Sequence, residues 1–256
     1  PMLTLKTLLI ICPLVFLAGF VDAIAGGGGL ICMPLYLMTG LPVRSVYGCN
    51  KFQYLSGCAA TAWRYAKGGY LDWRPALLGA LGAAVGGLAG TRVVYLLTEG
   101  QIRTMLLVLL PAAAVFSILV KNVWNHTALR CDLSQGRNRA LLLGCGLAIG
   151  LYDSIVGPAG ATVSMLLLSH FLKYDIRAAS ANTRLVLMGS TLTAFCIYLF
   201  NGDIVWQIAI PCALSNIAGG YVGAGLALKK GPGFVRFVAI GVVLAYVVKT
   251  LAERWL

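Results

Sequence analysis

Residues 19–29 read Gly-Phe-Val-Asp-Ala-Ile-Ala-Gly-Gly-Gly-Gly, an apolar stretch that carries one acid and then runs into four glycines. Residues 150–160 repeat this pattern as Gly-Leu-Tyr-Asp-Ser-Ile-Val-Gly-Pro-Ala-Gly, at a constant offset of 131 residues. The identical positions are Gly19, Asp22, Gly26 and Gly29 with their partners. Glycine weakens a helix and proline interrupts it. Each stretch therefore predicts a helix that breaks at the same place.

A short apolar run follows each glycine break, at 30–39 and at 160–171. Ten residues of α-helix rise about 15 Å, which is half of the roughly 30 Å hydrocarbon core of a bilayer. These runs therefore predict two half-helices or re-entrant arms. Broken backbone is tolerated at membrane depth only where it is buried in protein or lines a polar cavity. We expect the two glycine breaks to line such a cavity.

The composition excludes a soluble domain. Hydrophobic residues make up 59% of the chain and charged residues only 11%, with a mean hydropathy of +0.86, whereas a soluble domain carries about 25% charged residues. Ten apolar runs are present, at 5–25, 30–39, 46–66, 73–97, 101–120, 139–156, 160–171, 178–200, 204–228 and 233–252. The sequence predicts an all-α polytopic membrane protein with about eight spanning helices plus the two half-helices.

The repeat extends beyond the glycine motifs, because Asn182-Thr183-Arg184 stands opposite Asn50-Lys51 and a long apolar helix follows each. We divide the chain into a first transmembrane repeat at 1–125, a linker at 126–138 and a second repeat at 139–256. The loop at 64–74 carries three cations, whereas its counterpart near 201–203 carries only an acid. The positive-inside rule then predicts inverted repeats, a cytoplasmic linker and outward-facing termini.

Several other classes of protein are disfavoured. The net charge of +12 does not indicate nucleic-acid binding, since most cations lie in short loops between apolar runs. The eight cysteines show no CxxC motif and no ligand spacing with His126 or His170, so the sequence predicts no metal site and no cofactor. Residues 5–25 lack a small-residue cleavage site and are expected to be mature protein rather than a signal peptide.

The two half-helices predict an anion site. A helix N-terminus presents free backbone N–H groups and about half a positive elementary charge, and two such termini meeting at the bilayer centre would bind an anion. The alternative is that the glycines only permit close helix packing. The candidate substrate-binding residues are Gly27, Gly28, Gly29, Asn50, Lys51, Gly157, Gly160, Ala161, Asn182 and Arg184, and weaker hydrogen-bonding candidates are Gln53, Tyr54, Ser154, Thr162 and Ser164.

The charged candidates have two interpretations each. Lys51 and Arg184 are placed to bind an oxyanion, the arginine bidentately and the lysine as a point charge, or they snorkel from helix ends. Asp22 and Asp153 are carboxylates inside the bilayer, which is costly without a reason. They either satisfy backbone freed by the broken helix or act in the transport path by accepting a proton or pairing with a cation, and the two roles are compatible.

The motifs Gly-Phe-Val-Asp-Ala-Ile-Ala-Gly-Gly-Gly-Gly at 19–29, Gly-Leu-Pro at 40–42, Gly-Cys-Asn-Lys at 48–51 and the second glycine motif at 150–160 resemble the sulfite exporter TauE/SafE family. The resemblance covers nearly the whole chain. It implies a multi-pass permease of the bacterial cell inner membrane for small sulfur-containing anions such as sulfite or organosulfonates. Two departures are Cys49, where the family commonly has threonine, and Asn182-Thr183-Arg184, where a basic residue commonly follows His-Ala.

We therefore expect a secondary transporter, not an enzyme, that works by alternating access around a midplane anion site. The chain has no P-loop, so energy comes from an ion or substrate gradient, and the two aspartates favour proton coupling. Its expected partners are the anion and the lipid bilayer, with a homodimer left open. The alternatives are a permease or channel for another small anion such as a carboxylate, and a membrane thiol-redox enzyme with Cys49 and Cys58 as the nearest pair.

Overall fold

The structure, a computed structural model, describes residues 5–102, 104, 105, 108, 128–157 and 159–255, and their side chains apart from those of 5, 6, 25 and 231–255. The predicted run at 101–120 falls mostly outside the described residues. So do the last part of the first predicted repeat and the start of the linker.

The described chain is helical, as the sequence predicts. The helices are α1 (Leu5–Ala25), α2 (Gly28–Leu37), α3 (Val43–Lys67), α4 (Trp73–Leu96), α5 (Gly136–Ile155), α6 (Gly160–Leu172), α7 (Ile176–Phe200) and α8 (Trp206–Trp255). The two expected half-helices are α2, with 10 residues, and α6, with 13. The helix α2 begins at Gly28, slightly before the predicted apolar run at 30–39. The helix α6 begins at Gly160, the first residue of the predicted run at 160–171.

The glycine motifs end the preceding helices because their backbone turns left-handed. Gly26 and Gly27 have φ values of +76° and +89°, and Gly157 and Ala159 have values of +79° and +62°. This region suits glycine, which has no Cβ, and is costly for other residues. Ala159 therefore holds a strained conformation directly before α6.

Four described helices are long and apolar enough to cross a membrane. They comprise Thr7–Ile24 within α1, Trp73–Leu96, Ile176–Phe200 and Trp206–Lys230 within α8. The helices α3 and α5 have 25 and 20 residues, which is sufficient length. Their hydropathy is lower because they carry basic and acidic side chains in addition to apolar ones.

One boundary expected from the sequence was wrong. The runs at 204–228 and 233–252 were expected to be separate segments, but α8 continues through both of them, and through Pro232 between them, for 50 residues. A proline inside a helix removes one backbone hydrogen bond and favours a kink, yet it does not forbid the helix. Fifty residues span about 75 Å, far more than one bilayer crossing.

The helices α1 and α8 pack closely and run in the same direction. A methyl group at Gly219 would collide with the carbonyl of Phe16, and one at Gly223 with the carbonyl of Phe20. Both partners advance by four residues, so the two helices are parallel. The helix α3 runs in the same direction. Cys49, near the start of α3, contacts Val205, directly before α8, and Arg64, near the end of α3, contacts Tyr221, further along α8. We call α1, α3 and α8 the first bundle.

The helices α4 and α5 pack in the same manner. Methyl groups at Gly82 and Gly86 would collide with the carbonyls of Leu143 and Leu147. The helix α7 also runs parallel to α4. A methyl group at Gly189 would collide with the carbonyl of Ala80, and four residues further along both helices Thr193 donates a hydrogen bond to the carbonyl of Ala84. We call α4, α5 and α7 the second bundle.

The bundles meet along α3 and α7, which run in opposite directions. Tyr47 near the start of α3 stacks on Tyr198 near the end of α7, with ring centroids 6.3 Å apart. Towards the middle of both helices, Arg184 approaches Tyr54. The two glycine breaks and the two half-helices lie at this junction.

Candidate functional site

Asp22 links the end of α1 to both α2 and α7. Its Oδ1 accepts a hydrogen bond of 2.9 Å from the backbone N–H of Gly28, in the first turn of α2. Its Oδ2 and its carbonyl oxygen accept hydrogen bonds from the two terminal nitrogens of Arg184. The Arg184 side chain is only 1% exposed. This carboxylate therefore satisfies backbone freed by the break and also neutralises a buried guanidinium.

Asp153, at the equivalent place on α5, binds the other buried cation. The Nζ of Lys51 lies 2.8 Å from Asp153 Oδ2 and 2.7 Å from the Asp153 carbonyl oxygen. The hydroxyl of Ser190 donates to the same Oδ2 at 2.9 Å, and that of Thr191 lies 3.5 Å from it. Lys51 and Asp153 side chains are 2% and 4% exposed.

The two ion pairs are crossed between the halves of the chain. Asp22 of the first half binds Arg184 of the second, and Asp153 of the second half binds Lys51 of the first. Each pair therefore joins the first bundle to the second. The four charges sum to zero, as the cost of an unpaired charge in a buried site requires.

Each glycine break contacts the half-helix that follows the other break. A methyl group at Gly26 would lie 2.7 Å from the hydroxyl and 2.8 Å from the backbone nitrogen of Thr162, in the first turn of α6. Across the junction, the end of the Met33 side chain on α2 would lie 3.7 Å from a methyl group at Gly157. The N-termini of the two half-helices are thus brought to one place, where both helix dipoles favour negative charge.

A small cavity lies where the breaks and the ion pairs converge. Its volume is about 10 Å³, close to the roughly 10–15 Å³ that a single water molecule needs. It is lined by Asp22, Gly29, Asn50, Lys51, Tyr54, Asp153, Gly157, Ala159, Gly160 and Ala161. The structure therefore brings most of the sequence-predicted site residues together, in a conformation that is closed around them.

The remaining predicted residues lie beside this cavity or away from it. Gly27 is the N-cap of α2, and Gly28 receives the Asp22 cap and lines a neighbouring cavity. Arg184 reaches the site through Asp22 and Tyr54. Asn182 is bound elsewhere, because its Oδ1 accepts from the backbone N–H of Asp72 at 3.0 Å.

The Asn182 contact belongs to a polar cluster that holds the loop before α4. Asp72 accepts hydrogen bonds from the Tyr174 hydroxyl at 3.0 Å and from the Cys131 backbone at 2.8 Å. Arg130 donates to the carbonyl of Leu71 at 2.8 Å. In this conformation Asn182 has a structural role, unlike Asn50, which lines the cavity.

Sequence reasoning missed three polar residues near the site. Ser190 and Thr191 bind Asp153, and Asn216 donates to the carbonyl of Gln53 at 3.0 Å. All three are buried polar side chains within apolar helices. That combination is a usable signal, since a polar group inside a membrane helix is costly unless it has a partner.

The cysteines do not form a redox pair in this structure. All eight are free thiols. Cys49 and Cys58 lie on the continuous helix α3, and nine residues of helix separate them by about 13 Å, whereas a disulfide needs Cα atoms within about 7 Å. In the linker, burial raises the pKa of Cys131, which keeps the thiol protonated and less reactive.

Comparison with known proteins gives a consistent result. A family model described as sulfite exporter TauE/SafE matches residues 11–250. A probable membrane transporter protein, ORF9, from Sinorhizobium sp. is 30% identical over 241 residues, which cover 93% of this chain and 90% of that protein. A probable membrane transporter protein from Haemophilus influenzae is 27% identical, covering 86% and 85%. The probable membrane transporter protein YfcA of Escherichia coli K12 is 24% identical, covering 86% and 80%. No solved structure matches.

Proposed function

The chain belongs to the sulfite exporter TauE/SafE family and is a multi-pass membrane transporter of the bacterial inner membrane, and on that basis we propose that it is a secondary transporter of small sulfur-containing anions, sulfite or organosulfonates. The observation that carries the proposal is the pair of crossed ion pairs at the junction of two half-helix N-termini. Buried cations and helix N-termini together attract an oxyanion.

The proposal includes inverted repeats, with the boundaries 1–125 and 139–256 predicted from the sequence. The equivalent positions Lys51 and Arg184 lie on α3 and α7, whose contacts run in opposite directions. Equivalent helices α1 and α5 likewise belong to different bundles. An inverted pair of bundles around one central site is the arrangement expected for alternating access.

Substrate binding requires the closed site to open. A sulfur oxyanion is larger than a water molecule, whereas the cavity is about 10 Å³. Lys51 and Arg184 are both engaged by aspartates, so an incoming oxyanion competes with a carboxylate for its cation. Because each ion pair joins the two bundles, exchanging one carboxylate for substrate loosens the contact between them. That exchange couples anion binding to bundle movement.

The same charge balance supports proton coupling. An anion added to a neutral site leaves an uncompensated negative charge, which is costly in a buried environment. One proton on an aspartate restores neutrality. The transporter would then carry the anion together with a proton.

Asp153 is better suited than Asp22 to accept that proton. The described residues place all their hydrogen bonds to the Asp153 carboxylate on Oδ2, from the ammonium of Lys51, which only donates, and from the hydroxyls of Ser190 and Thr191, which can also accept. Oδ1 is left to carry a proton. Asp22 instead receives the backbone N–H of Gly28 and the guanidinium of Arg184, which only donate. A proton on the Asp22 carboxylate would point at an N–H group, which cannot accept a hydrogen bond from it. We therefore assign proton binding to Asp153 and a capping role to Asp22.

The test is ligand-induced thermal stabilisation of the detergent-purified protein with sulfite, sulfate, isethionate, acetate and chloride. A ligand that binds the folded state raises its apparent stability. We expect stabilisation by sulfur oxyanions that is lost in Lys51→Ala and Arg184→Ala and kept in Arg64→Ala, which removes a cation from the other end of α3. Stabilisation by acetate alone would indicate a carboxylate transporter, and stabilisation that survives in all three variants would exclude this anion site.

A further inference from the structure

A second small cavity adjoins the ion-pair cavity on the side of α8. The two cavities share Asp22, Gly29, Asn50 and Tyr54 as lining residues. The second cavity adds the neutral amides of Gln53 and Asn216 and has a volume of about 10 Å³. A ligand held at the ion pairs therefore has this amide-lined space directly beside it.

Gln53 has unused hydrogen-bonding capacity. Its side chain is buried, with 1% of the residue exposed. Its Oε1 has no hydrogen-bond partner among the described residues, and its Nε2 reaches only the sulfur of Cys32, a weak acceptor, at 3.6 Å. Buried polar side chains in native proteins are usually paired. An unpaired acceptor beside a cavity is a group that a ligand can satisfy.

The amide pair lies in the first bundle, on α3 and α8, and the equivalent positions of the second bundle are apolar. By the correspondence of Lys51 with Arg184, Gln53 is equivalent to Val186. Gly19 packs on Asn216, and its repeat partner Gly150 packs on Ala83. Val186 and Ala83 are both fully buried apolar residues. The polar cavity is therefore an addition on one side of the symmetric ion-pair site, which makes the two ends of the site chemically different.

We propose, resting on the anion-transport function above, that Gln53 and Asn216 form a subsite for the uncharged polar end of a two-ended anion. The oxyanion group binds at Lys51 and Arg184, and a hydroxyl at the other end donates to Gln53 Oε1. The described lining residues of this cavity include one carboxylate, Asp22, and no cation, so a second anionic group would have no partner here. The structure thus assigns the site to a short hydroxylated organosulfonate in preference to a plain alkyl one.

The experiment compares isethionate with ethanesulfonate, which differ by one hydroxyl, on the full-length purified protein. A buried acceptor left unpaired disfavours the ligand that lacks the hydroxyl. We expect wild type to bind isethionate about tenfold more tightly, the gain typical of one well-made hydrogen bond. Gln53→Leu should bring the ratio of the two affinities to about one. The matched control Val186→Leu, at the equivalent position of the second half, should keep it.

Asn216→Ala is a second variant that copies the residue of the other half, in case Gln53→Leu does not fold. It should reduce the preference for isethionate. Equal binding of the two sulfonates by wild type, or an undiminished preference in a folded Gln53→Leu or Asn216→Ala protein, would overturn the subsite and leave the anion site standing. Absence of binding of both sulfonates would overturn the transport proposal and the subsite with it.

Discussion

The ammonium of Lys51 is bound twice by Asp153, at 2.8 Å by the side-chain carboxylate and at 2.7 Å by the backbone carbonyl of the same residue. The carbonyl is available because α5 ends shortly after Asp153, at Ile155, so its acceptors lack the usual helical partners. The cation therefore satisfies both the charge and the backbone of the broken helix. This contact connects the first bundle to the second at the place where the chain is least regular.

Removing one member of this pair should be much more costly than removing both. Lys51→Met leaves a buried carboxylate without its cation, and we expect a loss of about 3–5 kcal/mol in the free energy of unfolding. Adding Asp153→Asn to that variant should recover most of the loss. Denaturant unfolding of the two single variants and the double variant measures the coupling. Additive effects of the two substitutions would show that the pair contributes nothing as a unit.

Proton coupling should depend on Asp153 and not on other carboxylates. Asn at this position keeps an oxygen for Lys51 but cannot take up a proton. In proteoliposomes, we expect a pH gradient to drive anion accumulation by wild type and to have no effect on Asp153→Asn, which should still exchange labelled anion for unlabelled anion. The control is Asp203→Asn, which removes a carboxylate from the α7–α8 loop. Gradient-driven accumulation by Asp153→Asn would assign the proton to another group.

The close contact of Gly28 with Asp22 predicts a strict requirement for glycine. A methyl group at Gly28 would lie 2.5 Å from Asp22 Cβ and 2.6 Å from the carbonyl of Ala18, so Gly28→Ala must displace the capping carboxylate. We expect loss of transport and a lower melting temperature. Gly144→Ala places a methyl group in open space on α5 and should leave both unchanged. Normal transport by Gly28→Ala would show that the Asp22 cap is dispensable.

The thiols should be dispensable for transport. Cys49 and Cys58 are too far apart along α3 to form a disulfide with each other. We therefore expect the Cys58→Ala and Cys49→Thr variants to transport anion at rates near that of wild type. Anion flux measured before and after treatment with a thiol oxidant checks this. A flux that depends on the redox state in wild type, and no longer does so in these variants, would restore a redox role.

The breaks and half-helices could be predicted from the sequence because their cause is local. Consecutive glycines weaken a helix, and ten apolar residues cannot span a bilayer. The need of Asp22, Lys51, Asp153 and Arg184 for a polar partner was also readable, since a charge inside an apolar run is costly. Each of these inferences uses only neighbouring residues.

The pairing of those charges could not be predicted, because the partners are 102 and 162 residues apart. A cation-pairing role was among those expected for the aspartates, but neighbouring residues do not indicate which cation of the other half each aspartate binds. The contact of Asn182 could not be predicted for a related reason. It matches Asn50 in sequence, but a loop residue, Asp72, engages it in the folded protein.

The smallness of the central cavity also matters to a cell that stores energy across this membrane. A space of about 10 Å³ holds no chain of water molecules, and the charges beside it are neutralised in pairs. Within the part of the chain that the structure describes, this cavity therefore provides no continuous water path for protons in this conformation. A bacterium can keep many copies of such a protein in its membrane without dissipating the proton gradient that drives them.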